Sequence, residues 1–99
     1  MLNSKVIIGT ANFDQQYGVR SKRVDKQKIK EIIQYASKNN INKFDTSASY
    51  KNSEKILGRL LKKNSKVITK LPPIPNNLSI KNTEIWISKK IKESQKKLK

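Results

Sequence analysis

The sequence contains no cysteine and no histidine. The missing cysteine excludes a disulfide framework and any thiolate metal site, and the missing histidine removes the most common neutral metal ligand. Only seven Asp and Glu side chains remain as candidate ligands, and they are scattered along the chain. The composition therefore predicts that the chain holds no metal.

Long apolar runs are also missing. No run approaches the ~20 residues that a helix needs to span a bilayer, and the start MLNSKVIIGTANF lacks the extended apolar core of a signal peptide. We therefore expect neither a transmembrane helix nor a leader, and a cytoplasmic location is the default expectation. Ninety-nine residues are enough for one small domain with a modest core.

Acidic residues are few, and the formal net charge is +16. Such a charge raises nucleic-acid binding as a function, because clustered cations neutralise phosphates. Twenty of the 23 cations are Lys, however, whereas base-edge and bidentate phosphate recognition favour Arg. The lysines are spread from Lys5 to Lys99, which favours a solvated surface. The tail KKIKESQKKLK is the densest patch and the best candidate to contact an anionic partner.

Apolar spacing predicts three strands that alternate with three helices. Each predicted strand is a short extended or apolar run, and the last is stopped by LPPIP because proline cannot donate to a strand ladder. The first two predicted helices carry apolar stripes with the helical period, and Asp25 lies near the start of the first. The predicted strands are 5–8, 41–46 and 66–70, and the first two helices are 24–39 and 53–63.

The third helix is predicted to begin with Thr83 as its N-cap and to carry Ile87, Ile91 and Leu98 along one stripe, with Ser94 between them. Two further residues are given packing roles. Gly58 costs a helix ~1 kcal/mol relative to Ala, which close packing against another helix would explain. Trp86 is interpreted as a packing residue, not as a ligand platform.

The resulting order, βαβαβα, favours parallel strands joined by right-handed helical crossovers. Two α/β architectures have this order: an open doubly wound sheet and a part of an eight-unit barrel. A dinucleotide-binding doubly wound sheet usually has a glycine-rich turn after its first strand. The segment GTANFDQQYG has glycine only at its two ends, which disfavours that type of domain.

Polar side chains follow all three predicted strands. They are Thr10, Asp45 and Lys70, and Tyr50 lies in the loop just beyond Asp45. Ligands of parallel α/β folds bind at the carboxyl ends of the strands, so these side chains could converge on one site. The pKa of a free phenol is near 10, and a neighbouring ammonium lowers it, which suits a phenol to protonate a carbonyl oxygen. Taken alone, Asp45 is more typical of a turn or cap, Tyr50 of a half-buried aromatic and Lys70 of a surface lysine than of a catalytic site.

Four blocks of the sequence, IGTANF, FDTSASYKNSEKILG, VITK and IKESQKKLK, resemble the N-terminal part of the aldo-keto reductases, which are NADPH-dependent (β/α)₈ barrels. The resemblance implies an α/β fold made of the first three βα units of a TIM barrel, left incomplete, so that residues 1–99 form a single partial domain. It also implies NADPH-dependent reduction of an aldehyde or ketone, a small-molecule carbonyl substrate, by hydride transfer.

The resemblance assigns roles to six positions of this chain. It implies that Tyr50 is the general acid, that Lys70 favours the ionised form of that phenol, and that Asp45 pairs with Lys70 beside the nicotinamide. Thr10 and Ala11, together with Asp45, would contact the cofactor. Glu54 would have a structural role near the start of the second helix.

The chain departs from the family pattern in two respects. Lys51 occupies the position after the Tyr where the family commonly has Gly, and the catalytic His that the family carries after its fourth strand has no counterpart. The adenosine-phosphate contacts also come from the last βα units. We therefore expect little turnover, weak NADPH binding and a tendency to self-associate from the isolated 99-residue chain. A small Lys-rich module that binds nucleic acid or another polyanion is the alternative function.

Overall fold

The computed structural model describes residues 5–15 and 22–99, and within them the elements alternate as the apolar spacing predicts. Most strands and helices are shorter than predicted, and the first strand covers 8–9 instead of the predicted 5–8. Pairing with a neighbour, and not apolar character, decides where a strand begins and ends. The elements are β1 (Ile8–Gly9), α1 (Lys26–Lys38), β2 (Lys43–Asp45), α2 (Ser53–Leu60), β3 (Lys66–Ile68) and α3 (Ile80–Leu98).

The three strands form one parallel sheet in the order β1-β2-β3. Phe44 is paired with Ile8 on one side and with Val67 on the other, while Asp45 lies between Gly9 and Ile68. Partners in register share a face of a sheet. We call the face of Ile8, Phe44 and Val67 the covered face, and the face of Gly9, Asp45, Ile68 and Lys70 the open face.

The core lies between the covered face and the helices. Phe44 is 2% exposed and packs with the buried stripe of α1, which consists of Ile29, Ile33 and Ala36, and with Leu57 of α2. The side chain of Asp25 caps α1 by accepting a hydrogen bond from the backbone N–H of Lys28 at 2.9 Å. The predicted helix start and apolar stripe of α1 are therefore confirmed.

Helices α2 and α3 pack so closely at Gly58 that a side chain would not fit there. A Cβ added to Gly58 would overlap the backbone carbonyl of Lys97 and touch the Cα of Leu98. The interpretation of Gly58 as a site of close helix packing is thus confirmed. Leu98 packs against the core cluster, and Ser94 is buried at 6% exposure, whereas Ile91 of the predicted stripe is 44% exposed.

The predicted N-cap of the third helix is wrong. The cap is Ser79, whose side chain accepts a hydrogen bond from the backbone N–H of Asn82 at 3.1 Å. Thr83 lies in the first turn instead, where its hydroxyl donates to the carbonyl of Ser79 at 2.8 Å. The helix begins earlier than predicted because Ser79 has the extended backbone that a cap requires. In the described part of the chain, no helix has the length and apolar character to cross a membrane.

Candidate active site

Two of the predicted site residues meet directly on the open face. Asp45 is the last residue of β2, and Lys70 follows the end of β3 by two residues. Because the strands are parallel neighbours, the two side chains emerge at the same edge of the sheet. The Nζ atom of Lys70 donates a hydrogen bond to Oδ1 of Asp45 at 2.9 Å. The pairing predicted for Asp45 and Lys70 is therefore present in the fold.

This ion pair shifts the pKa of Lys70. The hydrogen bond to Asp45 raises the pKa of Lys70 above its usual value, and desolvation opposes the shift. The charge of Asp45 and the neighbouring Tyr50 add smaller contributions in the same direction. Both side chains are well exposed, 46% for Lys70 and 40% for Asp45, so water screens the pair. Lys70 is held as an ammonium, but the pair contributes little to stability.

Tyr50 lies beside the same ammonium. The Nζ atom of Lys70 is 5.3 Å from the centroid of the Tyr50 ring, a distance typical of a cation–π contact. The backbone of the loop is also fixed to β3, because the N–H of Ala48 donates to the carbonyl of Lys70 at 2.9 Å. A carboxylate, an ammonium and a phenol from three chain segments thus converge on one edge of the sheet.

The backbone at Tyr50 is held on both sides. Its N–H donates to the carbonyl of Ser47 at 3.0 Å, and its own carbonyl accepts a hydrogen bond from the N–H of Ser53, the first residue of α2, at 2.8 Å. Lys51, the next residue, has a φ of 37°, in the left-handed region that favours glycine. Lys in place of the family's usual Gly therefore strains the backbone locally. The Lys51 side chain is exposed to solvent.

Thr10 and Ala11 follow the end of β1, and Thr10 lies on the side opposite to the open face. Thr10 is fully buried, and its hydroxyl donates to the carbonyl of Asp45 at 3.0 Å. Ala11 is half-buried, and its carbonyl accepts a hydrogen bond from Nε2 of Gln15 at 2.7 Å. Their contact with a cofactor stays a prediction. What the structure gives Thr10 is a position directly behind Asp45.

A set of buried hydroxyl groups lies behind the open face and was not predicted from the sequence. Thr46 and Ser53 are both fully buried and bonded to each other at 2.9 Å, and Ser53 also shares a hydrogen bond of 2.7 Å with Thr10. Thr69 donates to Oε2 of the buried carboxylate of Glu54 at 2.8 Å. A signal was available, since a threonine follows each strand directly: Thr10, Thr46 and Thr69.

Comparison with known proteins gives one match. The family model described as "Aldo/keto reductase family" matches residues 5–99, nearly the whole chain. No curated protein and no solved structure matches. The matched region contains β1, β2 and β3 and every side chain of the candidate site.

Proposed function

Because the chain belongs to the aldo/keto reductase family, a family of oxidoreductases, we propose that its open face carries part of a site that reduces an aldehyde or ketone. The reductant would be NADPH, and Tyr50 would be the general acid. The observation that carries the proposal is the position of the Lys70 ammonium, which is 2.9 Å from a carboxylate oxygen of Asp45 and 5.3 Å from the centroid of the Tyr50 ring.

Each residue has a distinct role in that reaction. As a hydride reaches the carbonyl carbon, the electron pair of the C=O bond moves to oxygen, and the hydroxyl of Tyr50 supplies the proton that this oxygen takes. The ammonium of Lys70 stabilises the phenolate that remains, because a cation beside a phenolate favours the charged form. Asp45 holds that ammonium in place through its hydrogen bond.

The residues present fit the nicotinamide end of such a cofactor. Asp45 and Lys70 are partly exposed on the open face and offer an acceptor and donors to the polar groups of a nicotinamide ribose or carboxamide. Gly9, the register partner of Asp45, has open space around the position of a Cβ, so a flat ring could approach the backbone there. NADPH, when bound, would supply the hydride.

The proposal includes a barrel as the active form. The described residues form three parallel strands, which leave the outer edges of β1 and β3 without a strand partner among them. Open edges and an uncovered face favour association with other chains. We therefore expect the 99-residue chain on its own to show little turnover, weak NADPH binding and some self-association. A cytoplasmic location belongs to the same proposal.

The test joins this chain to the fourth to eighth βα units of an active family member and follows NADPH oxidation with a panel of aldehydes and ketones. Tyr50→Phe should lower kcat by about 10²–10⁴, because the proton donor is lost. Tyr35→Phe is the matched control. Because Tyr35 is 70% exposed on α1, this substitution should leave kcat unchanged. A chimera that keeps its kcat with Tyr50→Phe would contradict the proposal.

Polyanion binding, the alternative function, can be distinguished from carbonyl reduction by its response to salt and to Tyr50→Phe. Most lysines of α3 are exposed, and in the described chain its one ion pair joins Lys90 to Glu93. Binding of a nucleic acid to this helix should weaken steeply with salt and be indifferent to Tyr50→Phe. Carbonyl reduction by the chimera should depend little on salt and should be lost with Tyr50→Phe.

A further inference from the structure

The three strands end in the same way on the covered side of the sheet. Gly9, Asp45 and Ile68 are partners in register, and the residue after each of them is a threonine. We call these three residues, Thr10, Thr46 and Thr69, the threonine row. Side chains alternate along a strand, so the row lies on the side opposite to Asp45 and therefore faces the helices.

The first two residues of α2 contact this row. Ser53 accepts a hydrogen bond from the Thr46 hydroxyl at 2.9 Å and shares one of 2.7 Å with the Thr10 hydroxyl. Its own N–H donates to the carbonyl of Tyr50, while Thr10 donates to the carbonyl of Asp45. A short chain of hydrogen bonds therefore runs from the backbone of Asp45 through Thr10 and Ser53 to the backbone of Tyr50.

Glu54 contacts the last member of the threonine row, Thr69. Glu54 is 3% exposed, and its Oε2 accepts a hydrogen bond from the hydroxyl of Thr69 at 2.8 Å. A buried carboxylate is costly unless it is hydrogen-bonded, so this contact fixes the distance between the start of α2 and the end of β3. Thr69 directly precedes Lys70, whose carbonyl also accepts a hydrogen bond from the N–H of Ala48 at 2.9 Å, so the Lys70 backbone lies between these two contacts.

We propose that Glu54, bonded to Thr69, is a positioning residue that holds Lys70 within hydrogen-bond reach of Asp45 and beside Tyr50; the catalytic meaning of this role rests on the proposed function. Asp45, Tyr50 and Lys70 come from three segments, and Lys70 has a long, flexible side chain. Its 2.9 Å contact with Asp45 therefore depends on what joins those segments behind the open face. Glu54 does not act on substrate, because its carboxylate is buried on the covered side.

The experiment compares Thr69→Val with Thr69→Ser in the 99-residue chain. Valine has nearly the shape of threonine without the hydroxyl, and serine keeps the hydroxyl. The readout is the pKa of the Lys70 ammonium, followed by NMR of isotopically labelled lysine and assigned from the signal lost in Lys70→Met. Asp45→Asn, which removes the carboxylate itself, sets the full size of the shift.

We expect Thr69→Val to lower the pKa of Lys70 by at least half of the change that Asp45→Asn produces, and Thr69→Ser to leave it as in the unmodified chain. Ile33→Val, which removes one buried methyl group from α1, is the control for general loosening of the core and should leave Lys70 unchanged. An unchanged Lys70 in Thr69→Val would overturn the proposal. An equal shift in Ile33→Val would overturn it too.

A second variant covers the case in which Thr69→Val fails to fold. Glu54→Asp keeps the carboxyl group but shortens its reach by one methylene, which draws that group away from Thr69. It should also lower the pKa of Lys70, and no change would again overturn the proposal. This readout needs no turnover, so it can succeed when Tyr50→Phe fails to lower kcat in the chimera, and the two proposals can be rejected separately.

Discussion

The two faces of the sheet differ in what they contain and in what they are exposed to. On the covered face, Phe44 is 2% exposed and surrounded by apolar side chains of α1 and α2. On the open face one residue further along the chain, Asp45 pairs with Lys70 in contact with water, and Ile68 beside it is 52% exposed. Consecutive residues of one strand thus belong to two different environments.

The difference separates stability from chemistry. Burial of apolar area supplies most of the free energy of folding, and it is concentrated on the covered face. A screened ion pair contributes little to stability, but the hydrogen bond within it raises the pKa of Lys70. Substitutions on the covered face should therefore change the free energy of unfolding, and substitutions on the open face should change protonation and reactivity.

The largest effect is expected from Phe44→Ala. Removing this ring leaves a cavity between β2 and α1, and we expect the free energy of unfolding to fall by about 3–5 kcal/mol. Urea denaturation followed by circular dichroism measures the loss. Ile68→Ala on the open face is the control and should cost less than about 1 kcal/mol, because the side chain is half exposed. Equal losses would mean that the open face is covered in solution.

Adding a methyl group at two glycines, Gly58 in α2 and Gly9 on the open face, compares how tightly the backbone is packed at each site. Gly58→Ala should destabilise the chain by about 1–3 kcal/mol, because the added Cβ would overlap the backbone carbonyl of Lys97 and push α3 from α2. Without that contact, Ala for Gly in a helix would stabilise by about 1 kcal/mol. Gly9→Ala is the matched change on the open face, where no heavy atom lies within 4 Å of the new Cβ. A melting temperature that rises with Gly58→Ala would exclude the close packing of α2 on α3.

Lys51 lies in the loop between β2 and α2. Replacing it with Gly should raise the free energy of unfolding, unlike the substitutions described above. Lys51→Gly relieves a left-handed backbone at φ 37°, so we expect a gain of up to about 1 kcal/mol in the free energy of unfolding. Lys55→Gly, at an exposed position inside α2, should lose about 1 kcal/mol instead. The same denaturation measurement checks both, and losses of equal size would contradict the strain at Lys51.

The smallest effect is expected at the ion pair of the open face. Asp45→Asn should cost only about 0.2–1 kcal/mol near neutral pH, since the pair is well exposed. The pKa of Lys70 is raised in the folded chain by its hydrogen bond to Asp45. The stabilisation is therefore complete below the unfolded pKa of lysine and is lost as the pH rises through the higher folded value.

The free energy of unfolding should thus differ most between Asp45→Asn and the unmodified chain at neutral pH, and the difference should shrink at strongly alkaline pH. Glu31→Gln on α1 is the control for an exposed pair. The hydrogen bond from Lys28 lowers the pKa of Glu31, so the contribution of that pair is lost on the acid side instead. A difference for Asp45→Asn that persists unchanged at alkaline pH would show that Asp45 acts through something other than Lys70.

The order of elements and the side chains of the open face were accessible from the sequence, whereas the groups behind that face were not. The stripe of α1 and its Asp25 cap follow from spacing of three and four residues, and the pairing of Asp45 with Lys70 follows from parallel strand ends. The third cap was assigned to Thr83 instead of Ser79, because both side chains satisfy the same local rule.

The sequence by itself determined where helices and strands alternate, because periodicity and capping act within a few residues of the chain. It also determined the family, through residues in a fixed order along 5–99. Only the tertiary structure decided that Thr10 is buried behind Asp45, that Ser53 joins Thr10 to Thr46, and that Glu54 meets Thr69. These hydrogen bonds join groups 7 to 43 residues apart along the chain. Their partners are set by the pairing of β1 with β2 and by the packing of α2 on the sheet, which no local pattern contains.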